Sequence, residues 1–429
     1  MASFYKILFS LFFATALLVS CDDSDAVFDD GAYGEDAKED FSALPDIKPF
    51  AKGDTVTRTL LIYIMAENSI SKDLTDDFDE IKRAAYHLPD DVRLFVYFDN
   101  SDAIRLPSLF QYHPYNGHVV ENVVYKFDND VCSSDTSVLG RVMKAVFDDY
   151  PTRNFDLIMG SHADGWIRHE DESRPNRTIG IDNGKNSYSN SITTTIEIEE
   201  LAALLECLPV KVDRLLFDAC LMQGVEVAYA LRNSANWIIA SPAEIPAYGA
   251  PYDKIVPEFF NSGSSVEDIM YEYKKSYDNE YYGVVLSAVR TSCMQELADS
   301  TRACVEKYFK KDSSIINAGS LAYVPNCVPA YYDVNSMMKR ILDGADYECW
   351  KSAFDKAVPY IMVSNYKMIW SNIAYNKWGD WFKAVVTVDD DAGAVSAYFP
   401  QNKSMNVDCN RQFCTTEWYH AAGWSSAGW

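Results

Sequence analysis

Histidine is scarce in this chain: His87, His113, His118, His162, His169 and His420 are the only six in 429 residues. No His-Glu-x-x-His occurs, and none of the ten cysteines has zinc-ribbon spacing. The two common zinc arrangements, one catalytic and one structural, are therefore missing, and the sequence points to no metal. Positive charge is also in short supply. Lys and Arg total 38 against 63 Asp and Glu, a net charge of −25. A surface of that sign repels nucleic acid and anionic membranes, and it suits a cationic substrate. There is no internal repeat. What the chain has in quantity is apolar and aromatic residues: 48% hydrophobic and 14% aromatic, with 28 Tyr and 9 Trp. That is enough for a large folded core or two domains.

Met1 to Ser20 reads as a secretion signal. Lys6 precedes an apolar run from Ile7 to Val19, broken only by Ser10 and Thr15. The run is short of the roughly 20 residues of a membrane-spanning helix. Leu18-Val19-Ser20-Cys21 resembles the bacterial lipoprotein cleavage site, which implies acylation of Cys21 and anchoring by lipid alone. An ordinary signal peptide with an incidental cysteine is the alternative. Asp22 to Asp40 holds nine acidic residues and one Lys, so residues 21–57 are expected to form a solvated tether. Acidic residues just after the lipid cysteine also resemble surface-export signals of some Gram-negative lineages. The expectation is a monomer, exported and lipid-anchored in the cell envelope, at the outer membrane or surface of a Gram-negative bacterium.

From Arg58 onward the pattern alternates. Leu60 to Met65 is continuously apolar, as a central parallel strand is. Asp73 to Leu88 has helical spacing, ended by Pro89. Val92 to Phe98 is a second strand, and Asn116-Gly117 marks a hairpin. Ser137 to Tyr150 is a helix capped by Asp135 or Thr136, and Asn154 to Gly160 is a strand. Arg168 to Thr195 is long, polar and without a pattern, which in a compact domain marks a functional loop. Ile196 to Leu208 is a helix, Asp213 to Cys220 a strand, Gly224 to Ser234 a helix and Trp237 to Ser241 a strand. This alternation predicts an α/β fold: a mostly parallel sheet with helices on both faces over residues 58–255. Residues 256–429 read as an additional α+β region packed on it. There, a late strand is expected from Ala394 to Pro400, and Cys409 and Cys414 are close enough for a local disulfide.

In sheets of this kind, sites form beyond the C-terminal strand ends. His162 follows one strand and Cys220 ends a later one. A cysteine acts as a nucleophile only as thiolate, so it needs a base, and His162 can serve. Taken singly, a structural histidine and a core cysteine are the blander readings. Strand alternation puts Asp218 on the same side as Cys220. Asp218 either lines a pocket or caps the following helix.

Ser-His-Ala-Asp-Gly-Trp166 and Phe-Asp-Ala-Cys-Leu-Met222, with Glu226 to Tyr229, resemble the clostripain family of cysteine endopeptidases. So do Ala240 to Glu244, Pro246 to Tyr252 and Ala397 to Pro400, over roughly residues 58 to 424. The resemblance implies a caspase-like fold, a Cys220 nucleophile with His162, and cleavage after Arg or Lys in protein or peptide substrates. It makes Asp218 an acidic residue of the substrate pocket, where a guanidinium could bind bidentately. It also implies an oxyanion hole of the Ala163 and Cys220 main-chain N–H groups, Ala163 standing where the family usually has glycine. Gly249-Ala250 stands where the family has glycine-tryptophan. Family members are often cleaved between the two catalytic residues, and Arg168, Arg174, Arg177 and Lys185 lie there. Some require calcium, though no ligand spacing here places a site. The departures at Ala163 and Asp164 motivate a second reading: an inactive relative that binds peptides or glycans at the surface through its aromatic-rich C-terminal part.

Overall fold

Leu60 to Met65 has no polar face, and in the computed structural model it lies at the middle of a nine-stranded sheet. The structure describes residues 55–115, 118–167, 178–184, 195–280, 282–311, 321–324, 331–365, 367–371 and 384–429. The signal, Cys21, most of the tether, the Asn116-Gly117 turn, Arg168, Arg174, Arg177 and Lys185 lie outside these residues.

The first eight strands are β1 (Val56–Ala66), β2 (Val92–Asn100), β3 (Ser108–Tyr115), β4 (His118–Lys126), β5 (Thr152–Gly160), β6 (Val212–Asp218), β7 (Ala235–Ala240) and β8 (Val285–Arg290). Later come β9 (Tyr332–Asp333) and β10 (Tyr360–Val363). The large sheet runs β10-β8-β7-β6-β5-β1-β2-β3-β4. Its centre, from β7 to β2, is parallel. The pairs at both edges are antiparallel. The expected α/β architecture, a mostly parallel sheet with helices on both faces, is therefore present. β8 and β10 come from beyond residue 255 and extend the same sheet.

Both faces are buried, which is why the central strands read as continuous apolar runs. On one face, Leu61, Tyr63 and Met65 pack with α2 (Thr136–Asp149), α3 (Ile198–Glu206), α4 (Val225–Ala230), α7 (Met294–Tyr308) and the later helix Gly344–Ala357. On the other, Leu60, Ile62 and Ile64 pack with α1 (Ser71–Ala84), α5 (Tyr252–Phe260) and α6 (Val266–Ser276). Local chemistry sets several helix starts. Asp135 caps α2 by accepting from Ser137 N–H, and Ser265 with Asp268 forms a capping box on α6. Among the described residues no helix is long and apolar enough to cross a membrane.

Three expectations change. Part of the loop after Arg168 is ordered: Ile179 bridges Ala163 on one side and Ile196 on the other. The late strand shrinks to Ser396–Ala397, paired with β9, and Ser396 N–H donates to Gln223 O beyond the end of β6. Cys409 and Cys414 are unbridged, as are all the described cysteines.

Candidate active site

β5 and β6 are adjacent and in register, with Gly160 opposite Asp218. His162 and Cys220 each lie two residues beyond that matched pair. Ser161 N–H donates to Asp218 O at 3.4 Å, carrying the pairing one step past the strands. The two turns then press together. Gly165 has φ +79, and a Cβ there would stand 2.9 Å from Leu221 O. A glycine is required on both counts.

The histidine side is pinned from β1. Asn68 is buried and donates to Met65 O at 2.8 Å, Ile181 O at 3.1 Å and Ser161 Oγ at 3.3 Å. Ser161 Oγ donates to Met65 O at 3.0 Å and accepts from Ile181 N–H at 3.2 Å. Ser69 Oγ lies 2.8 Å from His162 Nε2. That contact orients the imidazole from the side of β1. Gly180 N–H donates to His162 O at 2.9 Å, and Asp164 N–H to Thr178 O at 3.3 Å. These two bonds carry the Ala163–Ile179 bridge, so Ala163 N–H takes no part in it. Ala163 is not among the residues with positive φ, so its methyl group brings no backbone strain.

The cysteine side is pinned by β7 and the C-terminal region. Cys220 is half-buried, and its Sγ accepts from Ile245 N–H at 3.5 Å, with Ile245 O at 4.0 Å. Leu221 adopts φ +63, a left-handed conformation that costs a branched residue about 1 kcal/mol or more. It is held there by Leu221 N–H to Ala243 O at 3.0 Å and by full burial. Gln223 Nε2 donates to Ser287 O at 2.6 Å, while Ser396 N–H donates to Gln223 O at 2.8 Å. Glu226 accepts from Tyr398 N–H at 2.7 Å, and burial pushes its carboxyl up to about 7. Trp166 of the histidine turn packs on Tyr398 and Phe413. Residues past 390 thus brace both turns.

Asp218 does not face as the strand alternation predicted. It is buried on the α1, α5 and α6 side of the sheet, whereas Cys220 packs against the opposite core. The alternation ends with β6 at Asp218, so parity no longer applies two residues later. Asp218 Oδ2 accepts from Tyr252 OH at 3.0 Å and Ala250 N–H at 3.1 Å, and Oδ1 accepts from Tyr273 OH at 3.0 Å. It caps no helix. Burial raises its carboxyl above the ordinary range, and these three donors oppose the rise. The 241–251 loop thus touches both Cys220 and Asp218. At its tip Tyr248 is half-exposed and stacks on Tyr277. Gly249 has φ +52, and a Cβ there would stand 2.6 Å from Asp218 Oδ2. Gly249→Ala is expected to cost about 1–3 kcal/mol in chemical denaturation. An unchanged midpoint would show that the loop does not press on the carboxylate.

Glu67, Asp99 and Asp130 form a trio near the ends of β1 and β2, with ligand atoms within 4.8 Å of one another. An all-oxygen set suits a hard cation such as calcium far better than zinc.

A clostripain-family profile matches residues 62–429. The chain belongs to the clostripain family of cysteine endopeptidases. It is 25% identical over 282 residues to clostripain of Hathewaya histolytica, covering 57% of this chain and 50% of that protein. It therefore spans about half the length of the curated relative it matches. Two solved family members align over 86% of this chain and 99% of theirs. A secreted cysteine protease of Bacteroides thetaiotaomicron, held with an irreversible peptide inhibitor, gives TM-score 0.72 at 27% identity. An inactive zymogen from Parabacteroides distasonis gives 0.71 at 26%.

Sequence reading did not single out several residues that the structure places around the two turns and Asp218. Ser69, Asn68 and Gln223 carry no pattern of their own. Leu221 gives no signal, since leucine rarely adopts positive φ. Asp77 did carry one: it is a carboxylate among Leu74, Phe78 and Ile81 on the apolar face of α1.

Proposed function

We propose that this enzyme hydrolyses peptide bonds after arginine or lysine, with Cys220 as nucleophile and His162 as its base. The observation that carries the reading is the β5–β6 register. It brings a histidine turn and a cysteine turn into contact, while Asp218 lies two residues before the thiol.

The thiol proton passes to His162, and Sγ attacks the scissile carbonyl carbon. The oxyanion takes hydrogen bonds from the Ala163 and Cys220 N–H groups. Collapse breaks the C–N bond, and the leaving amine takes the proton from His162. A thioester remains. Water, deprotonated by His162, attacks it, and the second collapse returns the thiol and frees the carboxylic acid.

The selectivity test uses peptide substrates that differ only in the residue before the scissile bond. Wild type is expected to cleave after Arg and Lys at least about 100-fold better than after neutral residues, and Asp218→Asn to lose most of that margin. Equal cleavage after neutral residues would end the reading.

Residues 58–255 carry the dyad, and residues 256–429 complete the sheet and brace its turns. Export with a lipid on Cys21 rests on the first 21 residues, and the Bacteroides thetaiotaomicron relative is itself secreted. Loss of palmitate labelling in Cys21→Ser checks it; retained labelling would refute it. Activation by cleavage at Arg168, Arg174, Arg177 or Lys185 fits the zymogen form of the Parabacteroides distasonis relative. Among the described residues, Trp350, Trp418 and Trp424 are core residues, which does not support the surface-binding alternative.

A further inference from the structure

Asp218 cannot hold a guanidinium bidentately by itself. A carboxylate has about four acceptor sites. Three of them on Asp218 already serve Ala250 N–H, Tyr252 OH and Tyr273 OH. One site remains, on Oδ1. An arginine tip brings five N–H donors and a lysine tip three. A basic side chain directed at Asp218 therefore needs a second acceptor in the same pocket.

Asp77 supplies one. It projects from the buried face of α1 and is 3% exposed. Its Oδ2 is buried and accepts no hydrogen bond. Leaving a carboxylate oxygen dry and unsatisfied costs free energy, and such an atom in a native core calls for an explanation. The acidic groups that act on it are Asp73, Asp76 and Glu80 of its own helix and Asp218 of β6, with Asp218 the strongest of these charges. The Asp77 charge also acts on Tyr252 of α5 and Tyr277 at the end of α6. A cation placed between Asp77 and Asp218 would satisfy both.

We propose that Asp77 is a specificity-determining residue, forming with Asp218 a two-carboxylate seat for the cationic tip of the substrate side chain before the scissile bond. The proposal rests on the reading that Asp218 selects a basic side chain, and it adds the residue that completes the selection. Two like charges in one dry pocket do not both ionise. Burial, then the nearby Asp218 charge, pushes the Asp77 carboxyl up to about 10. The empty seat therefore holds a proton at neutral pH, and an arriving guanidinium displaces it.

The test uses three peptides alike except for Arg, Lys or citrulline before the scissile bond. Citrulline keeps the shape of arginine without its charge. Asp77→Asn is expected to lower kcat/KM for Arg and Lys by about 10- to 100-fold, mainly through KM, and to leave citrulline within about twofold. An equal fall for all three, or no fall, overturns the proposal. Asp218→Asn separates the two readings. If it collapses the Arg-to-citrulline ratio while Asp77→Asn does not, only Asp77 is misassigned. If it leaves that ratio intact, the Asp218 reading fails first. A measurement on wild type covers a variant that does not fold. Calorimetry of N-acetyl-argininamide binding at pH 7, in buffers of different ionisation enthalpy, should show release of about one proton. No release overturns the seat.

Discussion

Cys220→Ala is expected to abolish turnover of arginine and lysine peptides, by about 10⁴-fold or more. The reason is chemical rather than structural. An alanine methyl group fits where a half-buried thiol stood, and the turn is held by main-chain bonds that the substitution leaves in place. These are Leu221 N–H to Ala243 O and Gln223 N–H to Ser241 O, both at 3.0 Å. The variant should therefore melt near wild type. It should also run as a single chain on a denaturing gel if wild type cuts itself after Arg168, Arg174, Arg177 or Lys185. Residual turnover above a few per cent, measured with fluorogenic peptides under reductant, would move the nucleophile elsewhere. Identical gel patterns would end the self-cleavage reading. Adding or chelating calcium in the same assay shows whether the Glu67, Asp99 and Asp130 trio matters.

Asp156→Ala is expected to have the largest effect on stability, a loss of about 3–5 kcal/mol. Asp156 is fully buried on β5, four residues before Gly160. Its carboxylate accepts from Arg214 Nε at 2.9 Å, Arg214 Nη2 at 2.6 Å and Arg58 Nη1 at 2.6 Å. Arg214 is itself buried; beyond Asp156, its side chain also donates to Phe259 O at 2.6 Å. Truncating the carboxylate strands a guanidinium between β6 and α5 with its charge unmatched. Arg58 suffers less, since it keeps Asp213 at 3.1 Å and touches solvent. Replacing Asp156 and Arg214 together by apolar residues of similar size should restore most of the loss, because the desolvation cost disappears with the pair. Urea unfolding of the single and double variants measures both. A single-variant loss under about 1 kcal/mol would mean that the network contributes little.

Much of this was legible without a structure. The runs at Leu60 to Met65, Leu157 to Met159 and Leu215 to Phe217 are apolar throughout, and only a strand buried on both faces needs that. The breaks at Ser161 and Asp218 marked the strand ends, and His162 and Cys220 follow them. Strand parity was less dependable. It placed Asp218 beside the thiol, but the chain leaves the strand at Asp218 and turns through a left-handed Leu221. Alternation is a property of extended backbone and stops where the extension stops. The loop after Arg168 misled in another way. Ile179 pairs with Ala163 and Ile196, and single bridges leave no periodicity to read.

Sequence reading was sufficient for the layered sheet, the two strand ends and the family, because periodicity, strand breaks and short motifs are local. It could not supply the surroundings of the strand that ends at Cys220. Asp218 is held by Ala250, Tyr252 and Tyr273, which lie 32, 34 and 55 residues away, and its charge acts on Asp77 of the first helix. Cys220 is met by Ile245, and its turn is braced by Ser396 and Tyr398. Only folding brings those groups together, since each contact is set by the packing of distant helices and loops on the sheet.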